Sequence, residues 1–165
     1  MVSPQPEKQE QQWVLLNYRI PREPSTPRIA VWRKLKALGV AQLGDGLVTL
    51  PHTPETQEQL EWVANQILES SGEAITWIAR PSSRRDSKAL KKQMQAERTD
   101  EYAALSEEIE NTGSADRRTL ARWRRQYRQI EKRDHFSADG RDGARLAIDA
   151  VATTITGAKR SVGSP

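Results

Sequence analysis

The strongest constraint on the fold of this chain is the tight turn Gly44-Asp45-Gly46, because a short strand pattern flanks it on each side. A turn of this length between apolar segments is typical of a β-hairpin, so the two strands are expected to be antiparallel neighbours. Helix patterns precede and follow the hairpin, at residues 27–38 and 54–71, and strand patterns stand at residues 13–20 and 73–81. The resulting order β-α-β-β-α-β predicts an α+β protein with a ferredoxin-like domain, in which two helices cover one face of a four-stranded antiparallel sheet.

The two helices of this domain are expected to pack on the sheet through apolar residues at spacings of three and four. Thr26 is expected to cap the first helix and Gly39 to end it. Its predicted buried stripe is Ile29, Val31, Trp32, Leu35 and Leu38. Trp32 is interpreted as a core residue, since a tryptophan at this spacing is more often buried than used for stacking on bases. For the second helix, with Thr53 as its cap, the predicted stripe is Leu60, Val63, Ala64 and Ile67.

From Ser82 the composition changes to charged helical patterns with few apolar positions. Two helices that meet near Gly113 are expected to form an antiparallel helical hairpin, followed by a short final helix that begins at Ser137 or Asp142. The predicted organisation is a disordered leader at 1–11, a ferredoxin-like domain at 12–81, an all-helical extension at 82–157 and a flexible tail at 158–165.

Several classes of protein are excluded or disfavoured by what the chain contains. It has no cysteine, which excludes disulfides, zinc-thiolate sites and thiol catalysis. The leader has no apolar segment of the kind found in signal peptides, and no run approaches the roughly 20 apolar residues of a membrane span. We therefore expect a soluble cytoplasmic protein with no membrane partner.

The chain also lacks a recognisable catalytic or metal-binding pattern. Its two histidines, His52 and His135, stand at element boundaries, and neither has a second metal ligand at helical spacing. No nucleophile motif, phosphate-binding loop or dinucleotide fingerprint is present. We expect no metal, no cofactor and no enzymatic activity.

Positive charge is concentrated in the predicted helix at residues 117–136, within a chain of net charge +4. Arginine side chains match phosphate oxygens, and the release of counterions favours nucleic-acid binding without regard to sequence. The expected contacts are Arg118, Arg122, Arg125 and Arg128, with Arg28 and Arg33 of the first helix as secondary contributors. An alternative stays open, in which these arginines form ion pairs with Glu107, Glu108 and Glu110 of the preceding helix.

The segment from Trp13 to Pro51 resembles the start of the ChrB family of chromate-resistance proteins. The similarity consists of a tryptophan-led apolar strand, a helix of pattern R-x-x-x-W-R-x-L-x-x-x-G and a hairpin that ends in Leu-Pro. The helix pattern falls on Arg28, Trp32, Arg33, Leu35 and Gly39. Residues 97–105 and 124–136 are similar to later helical segments of the family, so that the resemblance extends over about residues 12–155.

The resemblance implies a regulator that binds operator DNA and takes part in the control of a chromate-efflux operon. It covers the N-terminal domain of the family, whereas longer members continue into a second domain tied to chromate sensing. Two alternatives are a protein-interaction module that docks an acidic partner or a separate sensor domain, and a direct oxyanion sensor whose arginines bind chromate. A homodimer is expected by analogy of fold.

A more distant similarity connects the chain to the middle domain of PaaX-type repressors, which shares its ferredoxin-like fold with a CRISPR adaptation nuclease. That nuclease family binds metal through an aspartate near the end of its first strand. The corresponding stretch of this chain offers Asn17 and no acid, so we do not expect a metal-dependent nuclease.

Overall fold

The computed structural model describes residues 10–161, with side chains to residue 157, so most of the predicted leader (1–11) and tail (158–165) lies outside the described residues. The described chain is α+β, with a four-stranded antiparallel sheet and five helices. The elements are β1 Trp13–Arg19, α1 Ser25–Leu38, β2 Ala41–Gly44, β3 Leu47–Pro51, α2 Pro54–Glu69, β4 Glu73–Ala79, α3 Arg84–Asn111, α4 Arg117–Arg133 and α5 Arg141–Ser161. Two compact units result, one up to Lys91 and one from Lys92, and α3 begins in the first and ends in the second.

The sheet of the first unit has the order β2-β3-β1-β4, and every neighbouring pair of strands is antiparallel. Val14 of β1 lies opposite Leu50 of β3, and Leu16 lies opposite Val48, so alternation places all four on the same face. These residues are buried together with α-helical residues of the same unit, Val31, Leu35, Leu60, Val63 and Ile67. As the sequence predicts, β2 and β3 form a hairpin, and β1 lies in the interior of the sheet.

Helix α1 corrects two of the predictions. It begins at Ser25 after Pro24, without a side-chain cap, so Thr26 lies inside the helix and does not cap it. Ile29 and Trp32 were predicted to be buried and are exposed, Trp32 to 55%. The buried residues, Val31 and Leu35, lie on one side of the helix. Trp32 follows Val31 in sequence, but one residue corresponds to a rotation of about 100° around the helix axis, so its side chain lies outside the buried stripe.

Both helix ends with a strong local signal match their predictions. Gly39 ends α1 in the left-handed region, at φ 73°, and donates its N–H to the carbonyl of Lys36. Thr53 caps α2, since its hydroxyl accepts the N–H of Thr56 and the Thr56 hydroxyl accepts the N–H of Thr53. The predicted stripe of α2 is buried, as expected.

The second unit is helical and has its own apolar core. Tyr102, Leu105 and Ile109 of α3 pack with buried residues of α4 and α5, namely Leu120, Trp123, Tyr127, Ile130, Ala144 and Ile148. The prediction of a short final helix was wrong, because α5 has 21 residues. Its length follows from Val151, Ala152 and Ile155, which continue the apolar spacing and lie against the same core.

Candidate nucleic-acid interface

Helix α4 is strongly amphipathic, and its local sequence explains why it forms. Asp116 caps its N-terminus by accepting the N–H of Thr119 at 2.7 Å, and this hydrogen bond holds the pKa of Asp116 below its usual range. Leu120, Trp123, Tyr127 and Ile130 follow at spacings of three, four and three, and all four are buried. The buried stripe fixes the orientation of the helix within its unit, so the opposite side is left to solvent.

The exposed side of α4 is almost entirely cationic. Its exposed basic residues, which we call the α4 basic face, are Arg117, Arg118, Arg122, Arg124, Arg125, Arg128 and Lys132. Arg124, Arg128 and Lys132 are spaced by four and therefore form a row along the helix. Within residues 10–157, only Arg122 of this set has a carboxylate oxygen within 4 Å. Six of its seven cations are therefore not paired with a carboxylate of the described residues.

Arg122 is the exception because Glu108 of α3 holds it. The Arg122 Nη1 lies 2.6 Å from Glu108 Oε1, and Trp123 Nε1 donates to the same oxygen at 2.9 Å. The hydrogen bond from Trp123 and the charge of Arg122 together hold the pKa of Glu108 below its usual range. The ion-pair alternative raised by the sequence is therefore right for Arg122, whereas Glu107 and Glu110 have no ion pair among the described residues.

Three other arginines, one on each of α3, α4 and α5, form ion pairs within the second unit. Arg133 Nη1 donates to Glu101 Oε1 at 2.8 Å, and Arg98, which is nearly buried, lies 2.9 Å from the same carboxylate. Arg141 lies 2.6 Å from Glu131 and donates to it, which raises the pKa of Arg141. These ion pairs connect α4 to α3 and α5 and leave the α4 basic face unpaired apart from Arg122.

The first unit carries a second cationic surface on α1, of a different character. Its exposed cations are Arg28, Arg33, Lys34 and Lys36, and in the described part of the chain none has a carboxylate within 4 Å. Two of them lie over exposed tryptophan rings, Lys36 Nζ at 5.3 Å from the centre of Trp32 and Lys34 Nζ at 4.7 Å from that of Trp62 on α2. Helix α2 itself has four glutamates and no lysine or arginine.

Arg28 also lines a cleft of about 690 Å³ at one end of the sheet. Arg19 and Arg22 line it as well, opposite the acidic Asp45 and Glu73. Three guanidinium groups in one concave site could bind an oxyanion, although the two carboxylates offset much of their charge.

The structure thus places four of the predicted site residues on one helix of the second unit and Arg28 and Arg33 on a helix of the first. Trp32 and Trp62 were missed as surface features by the sequence analysis. A signal for Trp32 was present, because Arg28, Trp32 and Lys36 are spaced by four and form one row that alternates cation and aromatic ring.

Over residues 10–157, no group of three or more His, Asp or Glu side chains is arranged to hold a metal ion. His52 Nε2 is hydrogen bonded to Gln57 Oε1 at 3.0 Å. None of the described helices is long and apolar enough to cross a membrane.

The fold and the surface together define an α+β protein with an all-helical part that presents a dense cationic helix. Comparison with known proteins identifies the family. The family described as Protein ChrB, N-terminal, matches residues 28–112, which is just over half of the chain. The chain belongs to this family.

One similar protein is Protein ChrB of Cupriavidus metallidurans, which is 29% identical over 109 residues. The match covers 66% of this chain and 33% of that relative, so the chain corresponds to about a third of the relative's length. No solved structure shows a significant match to the chain.

Proposed function

We propose that this protein is a cytoplasmic transcription regulator of a chromate-efflux operon that binds operator DNA through the α4 basic face. The observation that carries the proposal is that six of the seven cations of this face are exposed and have no carboxylate within 4 Å among the described residues. The association with chromate resistance comes from membership of the ChrB family.

The geometry of α4 suits a polyanion. The helix has 17 residues, about 25 Å at 1.5 Å per residue. A helix of this kind fits the major groove of B-DNA or lies along a phosphate backbone. Because Trp123 and Tyr127 fix the other side of the helix in the core of its unit, the backbone positions that carry the arginines are fixed before DNA arrives.

The individual residues are expected to contribute unequally. Arg118, Arg125 and Arg128 are exposed and available for phosphate oxygens, with Arg118 near enough to Asp116 to lower the pKa of that carboxyl. Arg122 must share its guanidinium with Glu108 or leave it, so its contribution is smaller. Arg28 and Arg33 of α1 are retained as secondary contacts.

We also infer that the first unit is a ferredoxin-like domain. The element order β-α-β-β-α-β and the strand order β2-β3-β1-β4 support this inference. The β1 stretch carries Asn17 where the related nucleases carry a metal-binding acid, which supports a regulatory role without catalysis.

The test is a fluorescence anisotropy titration of the full chain with labelled DNA from upstream of its own operon, at 50 to 200 mM salt. Six phosphate contacts predict that the logarithm of the association constant falls with the logarithm of salt with a slope of about −5. Binding that does not weaken with salt would contradict the phosphate mechanism. Absence of binding at 50 mM would overturn the proposal, and unrelated DNA of equal length serves as the control for specificity.

The arginine-lined cleft supports a second candidate function, the direct binding of chromate. Arg19, Arg22 and Arg28 all line it, and guanidinium groups are suited to oxyanion binding, while Asp45 and Glu73 in the same cleft oppose it. Titration calorimetry with chromate and, as a matched control, sulfate decides between the functions. Heats that are equally weak for both anions would exclude a chromate sensor in this chain.

A further inference from the structure

The outer surface of α1 and α2 in the first unit exposes large apolar side chains to solvent together with charged residues. Four large apolar side chains are exposed there, Ile29 to 43%, Trp32 and Trp62 each to 55% and Leu68 to 51%. Exposed tryptophans are uncommon on surfaces without a partner and are enriched at the centres of protein interfaces. This surface, which we call the helix layer, comprises the solvent-facing residues of α1 and α2.

The charges of the helix layer are segregated by helix. Helix α1 contributes only cations, Arg28, Arg33, Lys34 and Lys36, and helix α2 contributes only anions, Glu55, Glu58, Glu61 and Glu69. The two helices contact each other, and Lys34 of α1 reaches over Trp62 of α2. A positive strip therefore runs beside a negative strip on one surface, and between the described residues no ion pair joins the two strips.

We propose that the helix layer is the interface of a homodimer, in which α1 of each copy packs on α2 of the other. Such an arrangement is self-complementary. A two-fold axis that lies in the interface and runs along the groove between α1 and α2 brings each positive strip over a negative strip. The alternative axis, perpendicular to the helices, would place α1 on α1 and repel like charges.

The positions of the apolar residues agree with this partner. Helical geometry places Trp62 on the side of α2 opposite its buried stripe, together with Glu58 and Glu69. On α1 the corresponding outward positions are Ile29, Arg33 and Lys36. Each half of the interface would thus place the apolar residues Ile29 and Trp62 beside charged residues, so that both apolar burial and charge pairing contribute.

A nucleic acid is a poorer occupant of this surface than a second copy. The phosphate backbone would approach the cations of α1 and, a helix diameter away, meet the glutamates of α2. Helix α4 itself contains one acidic residue, Glu131, which pairs with Arg141. The proposal is independent of DNA binding by α4, which lies in the other unit. It competes with the secondary DNA contacts of Arg28 and Arg33, because both residues lie on α1.

The experiment uses two charge-reversed forms of the full chain. One carries Arg33→Glu and Lys36→Glu on α1, and the other carries Glu58→Lys and Glu69→Lys on α2. All four positions are exposed, so circular dichroism is expected to show unchanged folding. Molar mass is measured by light scattering after size exclusion, at about 5 to 200 µM and at low salt, where charge effects are largest.

The expected results are a wild-type dimer, dimerisation weakened at least tenfold in each variant alone, and a mixed dimer when the two variants are combined. Mixing restores the interface because the reversed α1 of one variant then meets the reversed α2 of the other. A Trp62→Ala variant is expected to weaken the dimer at high salt as well, since its contribution is apolar.

Three outcomes would overturn the proposal. The first is a wild-type chain that is monomeric at 200 µM. The second is a dimer that neither charge reversal affects. The third is a dimer abolished by Trp77→Ala, a change on the exposed edge strand β4, and retained in both charge variants, which would place the interface on the sheet.

Discussion

The molecule presents two cationic helices, α1 and α4, and their surroundings distinguish them. On α4 the cations cover most of the exposed side, and the tryptophan of the helix, Trp123, is buried beneath them. On α1 the cations alternate with an exposed tryptophan, and the neighbouring helix α2 is acidic. A long uniform cationic surface suits a polyanion, whereas a mixed apolar and charged surface beside its own complement suits a protein.

The difference shows that a count of basic residues does not assign a partner. Both helices have an excess of positive charge in sequence. They differ in the position of the aromatic side chains, exposed on α1 and buried on α4, and in the number of exposed cations, four on α1 and seven on α4. Substitutions of tryptophans and charged residues on or beside α1 and α4 test whether the two helices differ in stability and in DNA binding as expected.

The largest expected effect is on stability and comes from replacing the tryptophan of each helix, Trp123 of α4 and Trp32 of α1, by alanine. Trp123 is fully buried and Trp32 is 55% exposed. We expect Trp123→Ala to lower the free energy of unfolding of the second unit by about 3–5 kcal/mol because it leaves a cavity. Trp32→Ala should cost less than about 1 kcal/mol. Urea denaturation followed by circular dichroism measures both, and equal losses would contradict the assigned environments.

The next effect concerns DNA affinity. The triple variant Arg118→Gln, Arg125→Gln, Arg128→Gln removes three unpaired cations of the α4 basic face and should weaken binding at least about tenfold at 100 mM salt. Its thermal stability should match that of the wild type, because none of the three is in an ion pair with a described residue. An unchanged affinity would exclude α4 as the DNA-binding surface.

A smaller and opposite effect is expected from Glu108→Gln. The change removes the carboxylate that holds Arg122 and accepts from Trp123, so the free energy of unfolding should fall by about 1 kcal/mol. Because Arg122 is released, the salt slope of DNA binding should become steeper by about 1. A slope that does not change would show that Arg122 is not available to phosphate.

The same carboxylate predicts a pH dependence. The folded state holds the pKa of Glu108 below its ordinary value of 4.5, so ionised Glu108 stabilises the fold above that value. This stabilisation is lost as the pH falls through the lowered pKa. Unfolding of the wild type and of Glu108→Gln, compared between pH 7 and pH 3, should therefore differ most at neutral pH. A difference that grows toward acid would contradict this sign.

The smallest effect is expected from Arg28→Gln with Arg33→Gln. If these residues are secondary contacts, the salt slope per bound protomer should fall by less than about 1 in total. Anisotropy titrations under the conditions used for the α4 variant provide the measurement. A larger fall than the α4 triple variant gives would reverse the roles assigned to the two helices.

Much of the architecture could be predicted from sequence, because turn and capping residues mark the ends of the same helices and strands that pack in the fold. The hairpin at Gly44-Asp45-Gly46, the cap at Thr53 and the stop at Gly39 each have a geometry that few residue types satisfy. The four buried residues of α4 are also its apolar positions at helical spacing.

The features that could not be predicted depend on tertiary contacts, because the sequence alone does not show which residues of different helices lie next to each other. Trp32 fits the apolar spacing of α1 almost as well as Leu35, and only packing in the first unit decides which of them is buried. The pairing of Arg122 with Glu108, and not with Glu107 or Glu110, is fixed by the rotation of α3 about its axis within the second unit. The length of α5 depends on a core formed by three helices together.

In the proposed function, α4 binds DNA and α1 does not do so to a comparable extent. The most direct test compares two triple variants that remove the same charge, Arg118→Gln, Arg125→Gln, Arg128→Gln on α4 and Arg33→Gln, Lys34→Gln, Lys36→Gln on α1. Salt-dependent anisotropy on the same DNA should give a slope reduced by about 3 per bound protomer for the α4 variant and by less than about 1 for the α1 variant. Equal reductions, or a larger one for the α1 variant, would contradict the account.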